Sequence, residues 1–230
     1  MSPASTEGWF TGSTGATALT FRSPRRAGVR AAWRCRATIF SCAKTVGRLC
    51  ARVRPYGRRP GSNGFVVAGS HTWLAVPLSS PSDCVVGPDG RLWITDPTGR
   101  DLDHRATPGN VWALDLATHS LEPMVDGVLF PNGIEFSTDA RSLFVAESAT
   151  GRVLRFSLGA DGTWERDPWR VPRLDGVPDG LAVDADDHVW VACSFSGTVV
   201  RLSPDGDIRA RLDFGTHATP TALCFAGSDL

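Results

Sequence analysis

A proline, a variable polar residue, a short apolar run, an Asp-bearing turn and a second apolar run follow one another four times along this chain. The copies begin at Pro81, Pro131, Pro178 and Pro220, at intervals of 50, 47 and 42 residues. Strand-containing repeats of roughly 40–50 residues are the signature of a β-propeller, each repeat being one blade that buries its faces against its neighbours. Equivalent repeat positions occupy equivalent places around the central axis. Ser82, Asn132, Asp179 and Thr221 are therefore expected to form a ring.

The grammar inside each copy is that of strands and turns. Cys84-Val85-Val86 leads through Pro88-Asp89-Gly90 to Leu92-Trp93-Ile94, and Gly133-Ile134-Glu135-Phe136 leads through Ser137-Thr138-Asp139 to Leu143-Phe144-Val145. In the third copy Leu181-Ala182-Val183 turns at residues 184–187 into Val189-Trp190-Val191. Such short apolar runs bounded by Asp, Gly and Pro read as strands, and no amphipathic helix is predicted after Ser82. Asp89, Asp139 and Asp186 keep the period of the prolines and read as turn formers. Trp93, Phe144 and Trp190 share one blade position and read as packing between blades. The fourth copy starts at Pro220, ten residues before Leu230. At about 47 residues per blade, fewer than five blades fit, so an incomplete propeller is expected. Its open strand edges would invite self-association.

The net charge of zero conceals two unlike halves. Residues 1–82 hold 12 Arg/Lys and one acid, and residues 83–230 hold 12 Arg/Lys and 23 acids. All twelve basic residues of the first half lie between Arg22 and Arg59. The predicted organisation is an irregular Arg-rich segment over 1–60, a remnant of the first blades, followed by propeller blades over 61–230. Three readings of the basic segment stay open. A nucleic-acid arm lacks any aromatic platform, so a nucleic-acid partner is not expected. A transit peptide would place its arginines earlier. A shifted reading frame in GC-rich coding DNA would give this Arg/Ala/Gly/Pro/Cys composition without strand or helix period.

No run of 18 apolar residues exists, which argues against a membrane-spanning helix, and the first twenty residues lack a secretory pattern. The cysteines show no C-x-x-C spacing, so free thiols in a reducing compartment, the cytoplasm, are expected.

Asn132 and Asp179 offer an amide oxygen and a carboxylate from neighbouring repeats. That donor set suits a hard divalent cation, Ca²⁺ or Mg²⁺, better than one requiring thiolates or imidazoles. A third oxygen is needed to offset the lost hydration. The competing reading is that Pro-Asn-Gly and Pro-Asp-Gly are ordinary turns. Register favours the site, since both polar residues hold the same place in the repeat. Nucleophilic serine chemistry has little support, because Cys193-Ser194-Phe195-Ser196-Gly197 does not fit G-x-S-x-G.

The segments Phe130-Pro131-Asn132-Gly133 through Ala146, and Pro178-Asp179-Gly180-Leu181 through Ala192, resemble the SMP-30/gluconolactonase/LRE-like family. Ser80-Pro81-Ser82-Asp83 through Pro97 is similar to the preceding blade of its bacterial gluconolactonase branch. The resemblance covers about residues 75–230. It implies an all-β, six-bladed propeller with one divalent cation, Ca²⁺ or Zn²⁺, at the axis, and hydrolysis of sugar lactones or related esters. Asn132 and Asp179 match the family's metal-binding pair, and Asp179 also matches its proposed general base. The third ligand would be Glu7 in Glu7-Gly8-Trp9, where the family has Glu-Gly-Pro. Ser82 stands where many relatives carry a substrate-contacting Asn.

The mechanism so implied is metal-assisted hydrolysis. The cation polarises the lactone carbonyl, and Asp179 helps to deprotonate the attacking water. Ser82 and Asp83 are candidates to bond sugar hydroxyls, and His104, in the polar insertion Gly99 to Gly109, is a candidate rim residue. The rival reading is a non-catalytic propeller binding module or a defunct family member, since a fold alone does not set an activity.

Overall fold

The computed structural model describes residues 51–55, 63–67, 73–99, 102 and 107–225. Every regular element in them is a strand. A three-stranded antiparallel sheet comprises β1 (Ala51–Pro55), β2 (Asn63–Val67) and β3 (Trp73–Val76). Three four-stranded antiparallel sheets follow in chain order. The first holds β4 (Cys84–Val86), β5 (Leu92–Asp96), β6 (Pro108–Leu114) and β7 (Leu121–Leu129). The second holds β8 (Pro131–Phe136), β9 (Ser142–Glu147), β10 (Arg152–Leu158) and β11 (Trp164–Arg166). The third holds β12 (Val177–Val183), β13 (Val189–Ser194), β14 (Thr198–Leu202) and β15 (Ile208–Asp213). Each sheet is an up-and-down meander whose first strand lies against the neighbouring sheet: β8 packs on β4 and β5, and β12 on β8 and β9. This is propeller architecture, and these three sheets are blades. Among the described residues no helix is long and apolar enough to cross a membrane.

The second strand of each blade shows why the sheets stack. Side chains alternate between the two faces of a strand, so a strand buried on both faces must be apolar at every position. In β9, Leu143 and Val145 enter the core shared with the first blade, while Phe144 and Ala146 enter the core shared with the third. In β13, Val189, Val191 and Cys193 face the second blade, and Trp190 and Ala192 face onward toward residues 223–225. Trp93, Phe144 and Trp190 thus all point toward the segment that follows their own blade. Trp93 stacks edge-on against Phe136 and Trp164, with ring centroids 5.1 and 5.6 Å apart. Phe144 packs on Trp169 at 5.3 Å and Trp190 on Phe225 at 6.1 Å. The expected inter-blade role of these aromatics is what the structure shows.

The hairpin between first and second strands is also repeated. Gly87, Ser137 and Asp184 each donate their N–H back across the turn, to the carbonyls of Arg91, Ser142 and His188. Gly90, Ala140 and Asp187 hold the left-handed backbone that closes it, with φ of 76°, 58° and 58°. Asp89 and Asp139 accept the N–H of Arg91 and Arg141, each at 3.0 Å. In the third blade Asp184 does this work, accepting from Asp186 N and His188 N, so Asp186 keeps the period without the bond.

The Pro-Asn-Gly and Pro-Asp-Gly steps are not turns. They lie inside β8 and β12, where the register with the second strand shifts between Pro131 and Ile134 and between Pro178 and Leu181. Proline donates no ladder bond, and a bulge there re-aims the next side chain. The glycines are needed for close approach. A Cβ on Gly133 would overlap the Asp179 carbonyl oxygen, and one on Gly180 would come within 2.8 Å of the Thr221 carbonyl oxygen. Gly180 N donates to that Thr221 oxygen at 3.0 Å, so the fourth repeat meets the third blade as irregular chain over 216–225.

Candidate functional site

The bulges in β8 and β12 and the irregular chain before β4 bring three of the four expected ring residues to one place. Ser82 is fixed on the first blade by its N–H to the Thr95 carbonyl, and its Oγ donates to Asn132 Oδ1 at 2.7 Å. Asn132 Nδ2 in turn donates to Ser148 Oγ at 3.3 Å, and the Asn132 amide also bonds the Asp179 carboxylate. Three successive blades are thereby linked side chain to side chain at the N-terminal ends of their first strands. Thr221, the fourth expected member, is exposed, and only its carbonyl is shown to take part.

Asp179 is half-buried, and Ser194 Oγ donates to its Oδ2 at 2.9 Å. Burial pushes its carboxyl up to about 6, against the pull of the Ser194 hydroxyl and the Asn132 amide. Asp83 lies beside it. Thr95 grips the Asp83 backbone at both N–H and carbonyl, each at 2.9 Å, while Cys84 N donates to Asp83 Oδ1 at 2.8 Å. Burial raises the Asp83 carboxyl to about 7, the N–H groups of Cys84 and Ile134 resist, and the facing Asp179 and Glu135 carboxylates raise it further. Among the described residues no ion pair joins Asp83 or Asp179 to a cationic side chain. Two neighbouring, partly buried acids thus have neutral hydrogen-bond donors and no cationic side chain as partners among the described residues. A divalent cation fits such a donor set, because it supplies the missing positive charge to oxygen ligands.

Glu7 and His104 lie outside the described residues. A second acidic group, Asp184, Asp186 and His188, has ligand atoms within 4.8 Å of one another, but it occupies the hairpin beyond the far end of β12. Arg201 already stands there, 2.7 Å from Asp184 Oδ2 and 3.1 Å from His188 Nδ1. Burial would raise Asp184, but bonds from Trp190, Arg201 and His188 N outweigh it and hold the carboxyl below the usual range. That group is a braced turn.

Sequence reading passed over Ser148 and considered Ser194 only as a nucleophile. A signal for both exists, since they stand 16 and 15 residues after their ring partners, each just past the apolar core of its second strand.

Comparison with known proteins places this geometry in context. The family model described as SMP-30/Gluconolactonase/LRE-like region matches residues 52–230. The pentonolactonase XacC of Haloferax volcanii is 30% identical over 181 residues, which are 74% of this chain and 58% of the relative. Regucalcin of Sus scrofa is 28% identical over 124 residues, 53% of this chain and 41% of the relative. Among solved structures, a gluconolactonase from Xanthomonas campestris superposes with a TM-score of 0.56 at 25% identity, covering 75% of this chain and 60% of that one. The chain thus spans about two fifths to three fifths of the length of these relatives.

Proposed function

The chain belongs to the SMP-30/gluconolactonase/LRE-like family, and from that premise we propose that it hydrolyses sugar lactones or related esters with one divalent cation held by Asn132 and Asp179. The observation that carries the reading is the Asp179 carboxylate, half-buried beside Asp83, with a hydroxyl and an amide as its side-chain partners among the described residues. The lactonases among its relatives support the substrate class.

Asn132 Oδ1 and the Asp179 carboxylate are the atoms that would hold the cation, with Glu7 as the third ligand that the family resemblance assigns. A bound Ca²⁺, Mg²⁺ or Zn²⁺ supplies a Lewis acid that polarises the lactone carbonyl and stabilises negative charge on its oxygen. Asp179, steadied by Ser194, accepts a proton from the attacking water. The water oxygen bonds to the carbonyl carbon, the ring C–O bond breaks, and the proton passes to the departing oxygen to give the open hydroxy acid. Ser82 uses its own proton on Asn132, which leaves its oxygen lone pairs for a substrate hydroxyl. Asp83 is assigned to hydrogen-bond a second sugar hydroxyl, and His104 is assigned to the rim of the site.

The test is hydrolysis of an aldonolactone by chelator-treated and by Ca²⁺- or Zn²⁺-reconstituted protein, for the wild type and Asp179→Asn. Cation-dependent turnover that falls by about 10²–10⁴-fold in the variant is the expected result. Equal rates in both proteins would remove Asp179 from the chemistry, and cation binding without hydrolysis would assign the ring a binding role instead.

A further inference from the structure

Two buried serines stand behind the ring at the same position in successive blades. Ser148 follows β9 and Ser194 ends β13, and each is 3% exposed. Ser148 Oγ donates to the Pro178 carbonyl at 2.6 Å and faces Asn132 Nδ2 at 3.3 Å. Ser194 Oγ lies 2.8 Å from the Pro220 carbonyl and 2.9 Å from Asp179 Oδ2. In both blades one hydroxyl bridges the ring side chain of its own blade and the proline that opens the next ring step.

A hydroxyl carries one proton and two lone pairs, so it can serve either polarity. At Ser148 the proton goes to Pro178, which leaves only lone pairs toward Asn132 and selects the amide NH₂ end. A flipped Asn132 would set its oxygen against those lone pairs, and its NH₂ against Ser82, whose proton would lose its acceptor. At Ser194 both neighbours are acceptors, so the hydroxyl can only donate, its single proton is shared between the Pro220 carbonyl and Asp179 Oδ2, and it restrains that carboxylate oxygen. The same residue type thus gives the amide an acceptor and the carboxylate a donor.

We propose that Ser148 and Ser194 are positioning residues: they fix the amide of Asn132 and the carboxylate of Asp179 in the directions that face the axis, and so set how tightly the ring holds a divalent cation. This rests on reading the ring as a cation site. Groups that orient a ligand from behind typically change metal affinity by about 10–100-fold when removed.

The test is calorimetric titration of Ca²⁺ or Zn²⁺ alone into the cation-free wild type, Ser148→Ala, Ser194→Ala and Ser194→Thr, with the melting temperature of each cation-free protein measured in parallel. Both alanine variants should bind about 10–100-fold more weakly at a temperature where they remain folded. Ser194→Thr, which keeps the hydroxyl, should recover most of the affinity. Ser194→Cys, which nearly preserves volume but donates weakly, carries the same test where Ser194→Ala does not fold. Lowered melting temperatures with unchanged affinity would reduce the serines to structural struts and overturn the inference, leaving the cation site standing. A wild type that binds neither cation would remove the site and the inference together.

Discussion

The Asp179 carboxyl has an ordinary value of 3.8 and sits at about 6 in the fold, because burial is answered only by Ser194 and Asn132. The neighbouring Asp83 is pushed to about 7, first by burial and then by the facing Asp179 and Glu135. The sign of the consequence follows from proton linkage. A folded state that binds protons more tightly than the unfolded chain is most stable below the unfolded value and loses that stability as pH rises. These two groups should therefore favour the folded cation-free protein most near pH 4 and below, with that contribution lost up to about pH 6 for Asp179 and about pH 7 for Asp83. Asp179→Asn, which removes the buried charge, should melt above the wild type at about pH 8 and level with it at about pH 4. Calorimetric melting across that range checks it; a variant less stable than the wild type at high pH would refute the buried-charge account. Phe195 makes a separate case. It holds φ 67° with its side chain 58% exposed, a backbone state that costs an ordinary residue about 1 kcal/mol or more. Asn tolerates that state, so Phe195→Asn should gain about 1 kcal/mol in urea unfolding.

At the scale of elements, the first strands carry the site because they are interrupted. The bulges in β8 and β12 bring the residue after each proline toward the neighbouring blade, and Gly133 lets the Asp179 backbone come against it. Gly133→Ala must push those strands apart, and a loss of about 1–3 kcal/mol in denaturant unfolding is expected, as for other overpacked contacts. A neutral substitution would mean that the blades do not meet there. These elements were legible in unequal measure. The second strands announced themselves, because a run such as Leu143-Phe144-Val145 has to be apolar throughout when both faces are buried. The ring step was legible by register although its local form was not, since Pro-Asn-Gly carries the same residues whether it turns or bulges. Asp184 took the turn role expected of Asp186 because the third hairpin places a carboxylate where the first has Gly87, a substitution that periodicity alone cannot interpret. Ser148 and Ser194 escaped notice because their importance lies in what crosses from one blade to the next.

At the scale of the whole molecule, three consecutive blades converge their first strands on one end, and three side chains from them form a continuous polar chain, Ser82 to Asn132 to Asp179. The repeat supplied that convergence in sequence form, whereas the charge balance at its centre came only from packing, which gathers Asp83, Glu135 and Asp179 without a cationic partner for Asp83 or Asp179 among the described residues. The central claim is that this end of the propeller is a cation site. Crystals of the cation-free protein soaked in Zn²⁺ and measured at the zinc absorption edge test it most directly. The account predicts one anomalous peak about 2.0–2.2 Å from an Asp179 carboxylate oxygen and from Asn132 Oδ1. A peak only at Asp184 and His188, or no peak at the ring, would contradict it.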